Sequence, residues 1–339
     1  MPARTSPKKA TAENSAKQLG AEQKLKIKTL LVPLDFSAAS MQVLNYAIPI
    51  AERFQADLHL VFVNESGDEF SAGETAHLLH EAAAMRTRMH GGSGDAKSGS
   101  ASLIRPERCH ALSGRVYEKT CDLARDLPAE LMVLATRGQT ALARILLGST
   151  AERIVQHSPC PVLVTRQRKP AEETSAADDA VAPFEFSPRK ILVPADFSQC
   201  ALVGLRYAAL FARAFDAKLH LFHALFPPNP VVVDRISANL SAGSDKARRV
   251  NAQLEMEALM QLEFMRGVQC ETEIRTGYVI QEICAAIERA DIDLVITSTH
   301  GQTGLKHALL GSTAEHVVRY AECPVLTVPS GLGDKGVLP

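Results

Sequence analysis

Two short motifs whose residue types could hold an anion occur twice in this chain. The first is a strand-like run that ends in Asp-Phe-Ser, at 31–37 and again at 192–198. The second is a glycine separated by nine residues from a Gly-Ser-Thr-Ala-Glu run, at 138–152 and 301–315. The copies are offset by 161 residues for the first motif and 163 for the second. This domain-sized period predicts a tandem of two like domains.

The second motif predicts an anion site at the start of a helix. Residues 149–152 and 312–315 match the Ser/Thr-x-x-Glu capping box, which marks a helix start. Gly148 and Gly311 come just before, and a glycine lets another group approach the backbone closely. Free first-turn amides at the positive end of the helix dipole favour a phosphate. One such interaction is worth only about 0.3–1 kcal/mol, so several donors must act together. A capped helix without a ligand is the alternative.

The aspartate of the first motif has two interpretations. Asp35 and Asp196 could cap the following helix, or they could accept hydrogen bonds from a ribose hydroxyl or an exocyclic amine. A charged position precedes the first glycine of the second motif, as Arg137 in one copy and His300 in the other. Beside a phosphate, arginine would add a permanent positive charge and histidine only a protonation-dependent one. An exposed side chain without a ligand is the alternative for both.

Length and composition indicate a globular protein of two domains. The chain has 339 residues, of which 46% are hydrophobic and 22% charged, and its net charge is −1. This balance gives no sign of a surface for nucleic acid or membrane, and neither partner is expected. No apolar run reaches transmembrane length and none follows the N-terminus as in a secretory signal, so we expect a cytoplasmic location.

Composition also divides the chain into segments. We expect a disordered tail, a first domain, a linker, a second domain and a short final tail, at 1–22, 23–168, 169–187, 188–331 and 332–339. A glycine- and serine-rich loop is expected inside the first domain, at 91–100.

Short apolar runs alternate with helical patterns in both repeats, which predicts an α/β fold. Each domain is expected to be doubly wound, with a five-stranded parallel sheet of order 3-2-1-4-5 and helices on both faces. One helix is expected after Ser37, with an apolar stripe from Leu44 to Phe54. The strands are expected at 29–33, 58–63, 107–113, 131–135 and 162–165, then at 190–194, 219–224, 269–276, 294–298 and 325–328.

Both motifs leave strands that border the point where the strand order reverses. Asp35 and Asp196 follow strand one of their repeats, while Gly138 and Gly301 follow strand four. Ligands of doubly wound sheets bind beyond the carboxyl ends of the strands at this switch point. The convergence predicts one binding site in each repeat.

At these residues the chain resembles the universal stress protein family, over 24–168 and 188–330. Family members that bind ATP carry Gly-x2-Gly-x9-Gly-Ser/Thr. The two copies here read Ala135-x2-Gly138-x9-Gly148-Ser149 and Ser298-x2-Gly301-x9-Gly311-Ser312. Both therefore depart from the pattern at its first glycine. If that position needs a positive φ, each copy would be strained and would bind less well.

The resemblance implies an adenine nucleotide in each domain, ATP or AMP, with or without Mg²⁺. The site positions in the first repeat are Asp35, Val63, Ala135, Arg137, Gly138, Gly148, Ser149 and Thr150. Those in the second are Asp196, Ala224, Ser298, His300, Gly301, Gly311, Ser312 and Thr313. The resemblance also implies that the last strands, Val162–Thr165 and Val325–Val328, pair within one chain. A homodimer is the alternative oligomeric state.

The leading interpretation is a nucleotide-binding stress or signalling protein. The sequence has no positioned nucleophile, base or metal cluster, so we expect no enzyme beyond a weak ATPase side activity. The second site is expected to bind better, because it has Gly304 and keeps the family's Thr-His-Gly. An assembly module with degenerate nucleotide sites is the alternative, favoured by the replaced first glycines. An adenylating enzyme would need Ser-Gly-Gly-x-Asp-Ser or His-x-Gly-His, and neither is present.

Overall fold

The structure is a computed structural model. It describes residues 24–66, 71–90, 103–136, 147–166, 186–227, 235–300 and 310–332, with the side chains of 86–90 and 235–244 left out. The tail expected at 1–22 and the loop expected at 91–100 lie outside the described residues. The same holds for all but the ends of the expected linker and final tail.

Each repeat alternates strands and helices as predicted. The strands of the first repeat are β1 (Thr29–Pro33), β2 (Asp57–Asn64), β3 (Cys109–Ser113), β4 (Leu131–Ala135) and β5 (Val162–Thr165). Those of the second are β6 (Lys190–Pro194), β7 (Lys218–Leu225), β8 (Cys270–Thr276), β9 (Leu294–Ser298) and β10 (Val325–Val328). Every expected strand is present, and the bounds differ from the expected ones by at most two residues.

The helices fill the connections between these strands. In the first repeat they are α1 (Ala38–Met41), α2 (Leu44–Phe54), α3 (Ala72–His90), α4 (Val116–Asp126) and α5 (Ser149–His157). In the second they are α6 (Gln199–Phe215), α7 (Arg235–Met260), α8 (Val279–Ala290) and α9 (Ser312–Tyr320). Short 3₁₀ turns lie at Pro106–Arg108, Glu263–Met265 and Ser330–Leu332.

The strand order confirms the predicted fold class. The sheet runs β3-β2-β1-β4-β5-β10-β9-β6-β7-β8, so each repeat has the order 3-2-1-4-5 when read from its outer edge. The pairs inside each repeat are parallel. The chain therefore contains two tandem doubly wound α/β domains.

The structure joins the two half-sheets into one through their last strands. β5 and β10 pair antiparallel, with Val164 opposite Val325 and Leu163 opposite Leu326. Leu163 and Leu326 are fully buried in an apolar cluster on one face of the sheet that draws residues from both repeats. Val164 and Val325 belong to a second such cluster on the other face. Burying a side chain of this kind contributes roughly 1.5–3 kcal/mol.

Polar contacts also connect the two repeats beside this strand pair. The guanidinium of Arg166 donates to the carbonyl oxygen of Val318. Arg319 lies 3.7 Å from the carboxylate of Glu152, and both side chains are about a quarter exposed. The first contact joins the end of β5 to helix α9, and the second joins helices α5 and α9, both of which begin at the second repeated motif.

The helix expected after Ser37 is two helices in the first repeat, so that prediction is wrong. Helix α1 ends before Gln42, and a tight turn in which the amide of Val43 donates to Ser40 carbonyl oxygen at 3.0 Å leads into α2. The second repeat has the single helix α6, with Gly204 at the position of Val43. A Cβ at Gly204 would lie 3.1 Å from the amide nitrogen of Ser298. At this glycine, therefore, the backbone of α6 packs directly on the end of β9. The buried side chain of Val43 cannot approach the neighbouring strand in that way.

This packing predicts that Gly204→Val lowers the stability of the protein. The added side chain must displace either α6 or the end of β9, at a cost of about 1–3 kcal/mol in the free energy of unfolding. Gly73→Val is the matched control, because Gly73 lies in α3 and a Cβ there meets nothing within 4 Å. Urea denaturation measured by circular dichroism compares the two variants, and an equal effect of both would contradict this account of the helix break.

Candidate functional site

The switch point of each repeat lies between strand one and strand four. β1 is paired with β4 through Leu30 and Leu131, and β6 is paired with β9 through Ile191 and Leu294. Since these pairs are parallel, the loops that follow them leave from the same edge of the sheet. The two repeated motifs therefore begin side by side in each domain, as predicted for the fold.

The Asp-Phe-Ser turns hold the strand-one aspartate against the start of the next helix. Oδ1 of Asp35 accepts from the amide of Ser37 at 3.0 Å and from its hydroxyl at 2.5 Å. Oδ1 of Asp196 accepts from the amide of Ser198 at 3.0 Å. The serines are the N-caps, because their hydroxyls accept from helix amides at 3.1 Å. The aspartates thus orient the capping turn and do not cap the helix themselves.

The phenylalanine of each turn has a left-handed backbone. Phe36 and Phe197 both have φ of 61°. A non-glycine residue in this region costs about 1–2 kcal/mol, so the surrounding turn must enforce it. Each ring packs on an aromatic side chain of strand two, Phe36 at 5.1 Å from Phe62 and Phe197 at 4.5 Å from His223 between ring centroids. Sequence reasoning missed this strain, and the recurrence of Phe in both copies was its only signal.

The second motif begins a helix in both repeats, but the predicted capping boxes are wrong. Helices α5 and α9 begin at Ser149 and Ser312, one residue after the N-caps Gly148 and Gly311. The serines are therefore in the first turn, where their hydroxyls cannot take the place of a cap. In the part of the chain that the structure describes, no side chain caps either helix. The first-turn amides consequently face the crevice without a side-chain acceptor from these residues.

The glycine N-caps are not required by backbone conformation. Gly148 has φ −64° and ψ 143°, and Gly311 has φ −59° and ψ 140°, a region open to any residue. What glycine supplies here is the absence of a side chain, which leaves the helix start open to a close neighbour. Their own amides donate to the carbonyl oxygens of Thr136 at 2.8 Å and Thr299 at 2.7 Å. These bonds tie each helix start to the end of strand four.

The residues at the first motif position adopt ordinary strand geometry. Ala135 and Ser298 are the last residues of β4 and β9, and neither has a positive φ. The replacement of glycine therefore creates no backbone strain. Ser298 uses its hydroxyl locally, donating to the carbonyl oxygen of His300 at 2.6 Å.

Strand two completes one wall of each crevice. Val63 is near the end of β2 and Ala224 near the end of β7. The amide of Leu34 donates to Val61 carbonyl oxygen at 2.8 Å, and an equivalent 2.8 Å bond joins Ala195 to strand two of the second repeat. These bonds hold strand two beside the Asp-Phe-Ser turn. Arg137, Gly138 and Gly301 lie outside the described residues, so the structure does not place them.

His300 has a defined environment in the second repeat. Its Nδ1 lies 3.0 Å from the hydroxyl of Thr299 and 3.2 Å from that of Ser330. Its Nε2 is buried and has no hydrogen-bond partner among the described residues. A buried polar atom without a partner is uncommon in proteins. Ser330 was not predicted as part of the site.

Comparison with known proteins identifies the family. The sequence pattern of the universal stress protein family matches residues 26–166 and 188–329. The chain therefore belongs to the universal stress protein family, with two copies of its domain in tandem.

Similar proteins carry the same family name. A universal stress protein of Methanocaldococcus jannaschii is 33% identical over 147 residues, which cover 41% of this chain and 81% of that protein. One of Mycobacterium tuberculosis is 30% identical over 202 residues, covering 58% of this chain and 61% of the other. The crystal structure of a universal stress protein from Archaeoglobus fulgidus aligns over 91% of this chain and 100% of its own, at 20% identity and a TM-score of 0.56. That structural likeness supports the fold.

Two other features that would bear on function are absent from the described residues. Among them, no helix is both long and apolar enough to cross a membrane. In the same residues, no group of three or more histidine, cysteine, aspartate or glutamate side chains converges as a metal site would require.

The hydrogen bonds of the second turn generate a test of what Asp196 does. Asp196→Ala removes the acceptor for the Ser198 amide and should lower the free energy of unfolding by about 0.5–1.5 kcal/mol. Asp196→Asn keeps a side-chain carbonyl in the same place and should lose less than half of that. Urea denaturation provides the measurement. Equal losses would mean that the negative charge, and not the hydrogen bond, stabilises the turn.

Proposed function

We propose that this protein binds an adenine nucleotide, ATP or AMP, at the switch point of each repeat, and that nucleotide occupancy regulates its role in a stress response. The observation that carries the proposal is the pair of helices α5 and α9, whose N-termini have glycine caps and no side-chain acceptor among the described residues. Each faces the same edge of the sheet as an Asp-Phe-Ser turn. Family membership supports the stress-response part.

The proposed roles follow from the chemistry of the two motifs. The first-turn amides at Ser149–Thr150 and Ser312–Thr313, with the adjacent hydroxyls, would bind phosphate oxygens. Asp35 and Asp196, whose carboxylates are held at the turn by the amides of Ser37 and Ser198, would accept from a ribose hydroxyl or from the amine of the base. Mg²⁺ would arrive with the nucleotide and would supply positive charge beside its phosphates. This is a binding role, with no catalytic group assigned.

The second site is proposed as the stronger of the two. Its strand four ends in Ser298 and leads to His300, whose Nε2 is buried without a partner in the described region. A phosphate or ribose oxygen would satisfy that nitrogen. The first repeat has Ala135 and Arg137 at these positions, and Ala135 offers no polar atom beyond its backbone.

An assembly module with degenerate sites remains the second candidate function. The replacement of the first motif glycine by Ala135 and Ser298 favours it. The continuous sheet through β5 and β10 favours it as well, because the two repeats would then exist mainly to build one scaffold. The two candidates differ in whether the purified protein holds nucleotide.

Nucleotide content and the glycine N-caps provide the decisive experiment. We expect adenine nucleotide in the supernatant of the denatured full-length protein, identified by mass spectrometry. Gly311→Val places a side chain over the open helix start and should weaken ATP binding by about tenfold or more, measured by calorimetry, because the amides become inaccessible. Gly148→Val should have a smaller effect.

Both substitutions place valine at an extended backbone that accepts it, so they are matched in their effect on folding. Their thermal unfolding without nucleotide is the control. An equal or larger loss from Gly148→Val would reject the ranking of the sites. No co-purified nucleotide together with no thermal shift at millimolar ATP would reject nucleotide binding and favour the assembly module, since a ligand at 100 times its dissociation constant adds about 2.7 kcal/mol.

We further propose that β5 and β10 pair within one chain in solution, so that the two repeats form an internal pseudo-dimer. An edge strand left open on each half-sheet would otherwise be exposed to pairing with other chains. The antiparallel register and the contact of Arg319 with Glu152 support the internal arrangement. A homodimer in which these strands pair between chains is the alternative.

A register-specific disulfide tests the pairing. Val164→Cys combined with Val325→Cys places two thiols directly opposite each other, at a separation that a disulfide spans. We expect a cross-linked monomer on non-reducing electrophoresis. Val162→Cys with Val325→Cys is the control, because these positions are two residues out of register and should not cross-link. A cross-linked dimer would show that the strands pair between chains.

A further inference from the structure

Two histidines form a close pair on the outer strands of the first repeat. Nδ1 of His59, on β2, lies 3.0 Å from Nε2 of His110, on β3. Their rings are nearly parallel, with an interplanar angle of 13° and centroids 5.3 Å apart. Both side chains are partly exposed. Two imidazole nitrogens in contact can share only one proton, because one of them must act as the acceptor.

Neutral imidazole is the form of histidine that binds metals. The Arg108 guanidinium lies 2.7 Å from the carboxylate of Asp57, so this arginine is already paired.

The second repeat uses the same positions differently. His220 corresponds to His59 by the 161-residue offset of the first motif, and Glu273 corresponds to His110 by the 163-residue offset of the second. Nδ1 of His220 lies 2.8 Å from Glu271 and Nε2 lies 2.7 Å from Glu273. Both ring nitrogens thus lie within hydrogen-bond distance of a carboxylate.

The carboxylate that replaces His110 belongs to a larger ion-pair network. Burial by itself would raise the pKa of Glu273, but hydrogen bonds from Arg275, Arg289 and His220 outweigh it and lower the pKa to about 2. Arg289 lies on α8, so the network fastens that helix to the outer strand. In the first repeat the corresponding contact is between Nδ1 of His59 and Nε2 of His110 themselves.

We propose that His59 and His110 form a bidentate site for a divalent metal ion of the zinc, copper and nickel group. Two nitrogens at about 2.0–2.1 Å from a tetrahedral zinc ion are about 3.3 Å apart, so the nitrogens must separate by a few tenths of an ångström. The proton between them must also leave, and each ring must turn so that its lone pair points at the metal and not at the other ring. Imidazole is a preferred ligand of these metals. Because no third ligating side chain converges with the pair among the described residues, water would fill the other positions.

This site is separate from the proposed nucleotide site. His59 is five residues before Asn64, which ends β2, and a strand rises about 3.3 Å per residue. The metal would therefore bind about 16 Å from the carboxyl edge of the sheet, where the switch point lies. Nucleotide binding and metal binding can be tested independently.

Calorimetric titration with Zn²⁺ tests the proposal on the full-length protein after removal of metal with a chelator. We expect a binding event that weakens by about tenfold or more in His59→Gln and in His110→Gln, since each variant leaves a single ligand. His220→Gln is the matched control, and it should bind Zn²⁺ as the unmodified protein does. Undiminished binding in both first-repeat variants, or an equal loss in His220→Gln, would overturn the proposal.

Paramagnetic resonance with Cu²⁺ gives a second readout, and its first measurement uses only the unmodified protein. The unmodified protein loaded with one equivalent should show splitting from two imidazole nitrogens, and His110→Gln should show one. A spectrum without coordinated nitrogen in the unmodified protein would contradict the site.

Discussion

The adjacency of strand one and strand four in each repeat is the constraint on which the rest of the site depends. Parallel pairing of β1 with β4 and of β6 with β9 sends two loops out from the same edge of the sheet. Because the connections then diverge to opposite faces, the loops leave a crevice between them. The Asp-Phe-Ser turn and the glycine-capped helix are on its two sides. Neither motif could face the other if the strand order were sequential.

Much of this arrangement could be predicted from sequence because it depends on patterns that are local. Apolar runs that alternate with helical periods predicted the strands and, through the fold class, the strand order. The duplication supported this prediction, because the same pattern occurs in both repeats. The helix after Ser37 could not be predicted in the same way. Whether it stays continuous depends on how closely it packs on strand four, which is decided by Gly204 in one repeat and Val43 in the other. That contact is between residues far apart in the chain.

The details of the site show the same limit at a finer scale. The Ser/Thr-x-x-Glu pattern located the helix start to within one residue, yet Gly148 and not Ser149 is the N-cap. That one-residue difference changes the chemistry. A serine N-cap would itself accept a hydrogen bond from a first-turn amide, whereas a glycine N-cap has no side chain that could do so. The left-handed Phe36 and Phe197 were beyond prediction, since phenylalanine is disfavoured there and only the tertiary turn enforces it.

Two departures from the most stable local structure lie at the crevice of each repeat. A glycine N-cap in place of a serine, threonine, asparagine or aspartate cap costs only a few tenths of a kcal/mol, and a left-handed phenylalanine costs about 1–2 kcal/mol. The glycine N-cap and the left-handed phenylalanine occur in both repeats, whereas the outer strands differ. His59 and His110 of the first repeat correspond to His220 and Glu273 of the second. A nucleotide at 100 times its dissociation constant would raise the free energy of unfolding by about 2.7 kcal/mol, which is comparable with the local cost in one repeat. Left-handed Gln55 and Asp216 also recur in both repeats outside the crevice, and α4 and α8 also begin without a side-chain cap. Duplicated local cost therefore does not by itself distinguish a ligand-binding crevice from a scaffold, and the nucleotide content of the protein is the property that separates them.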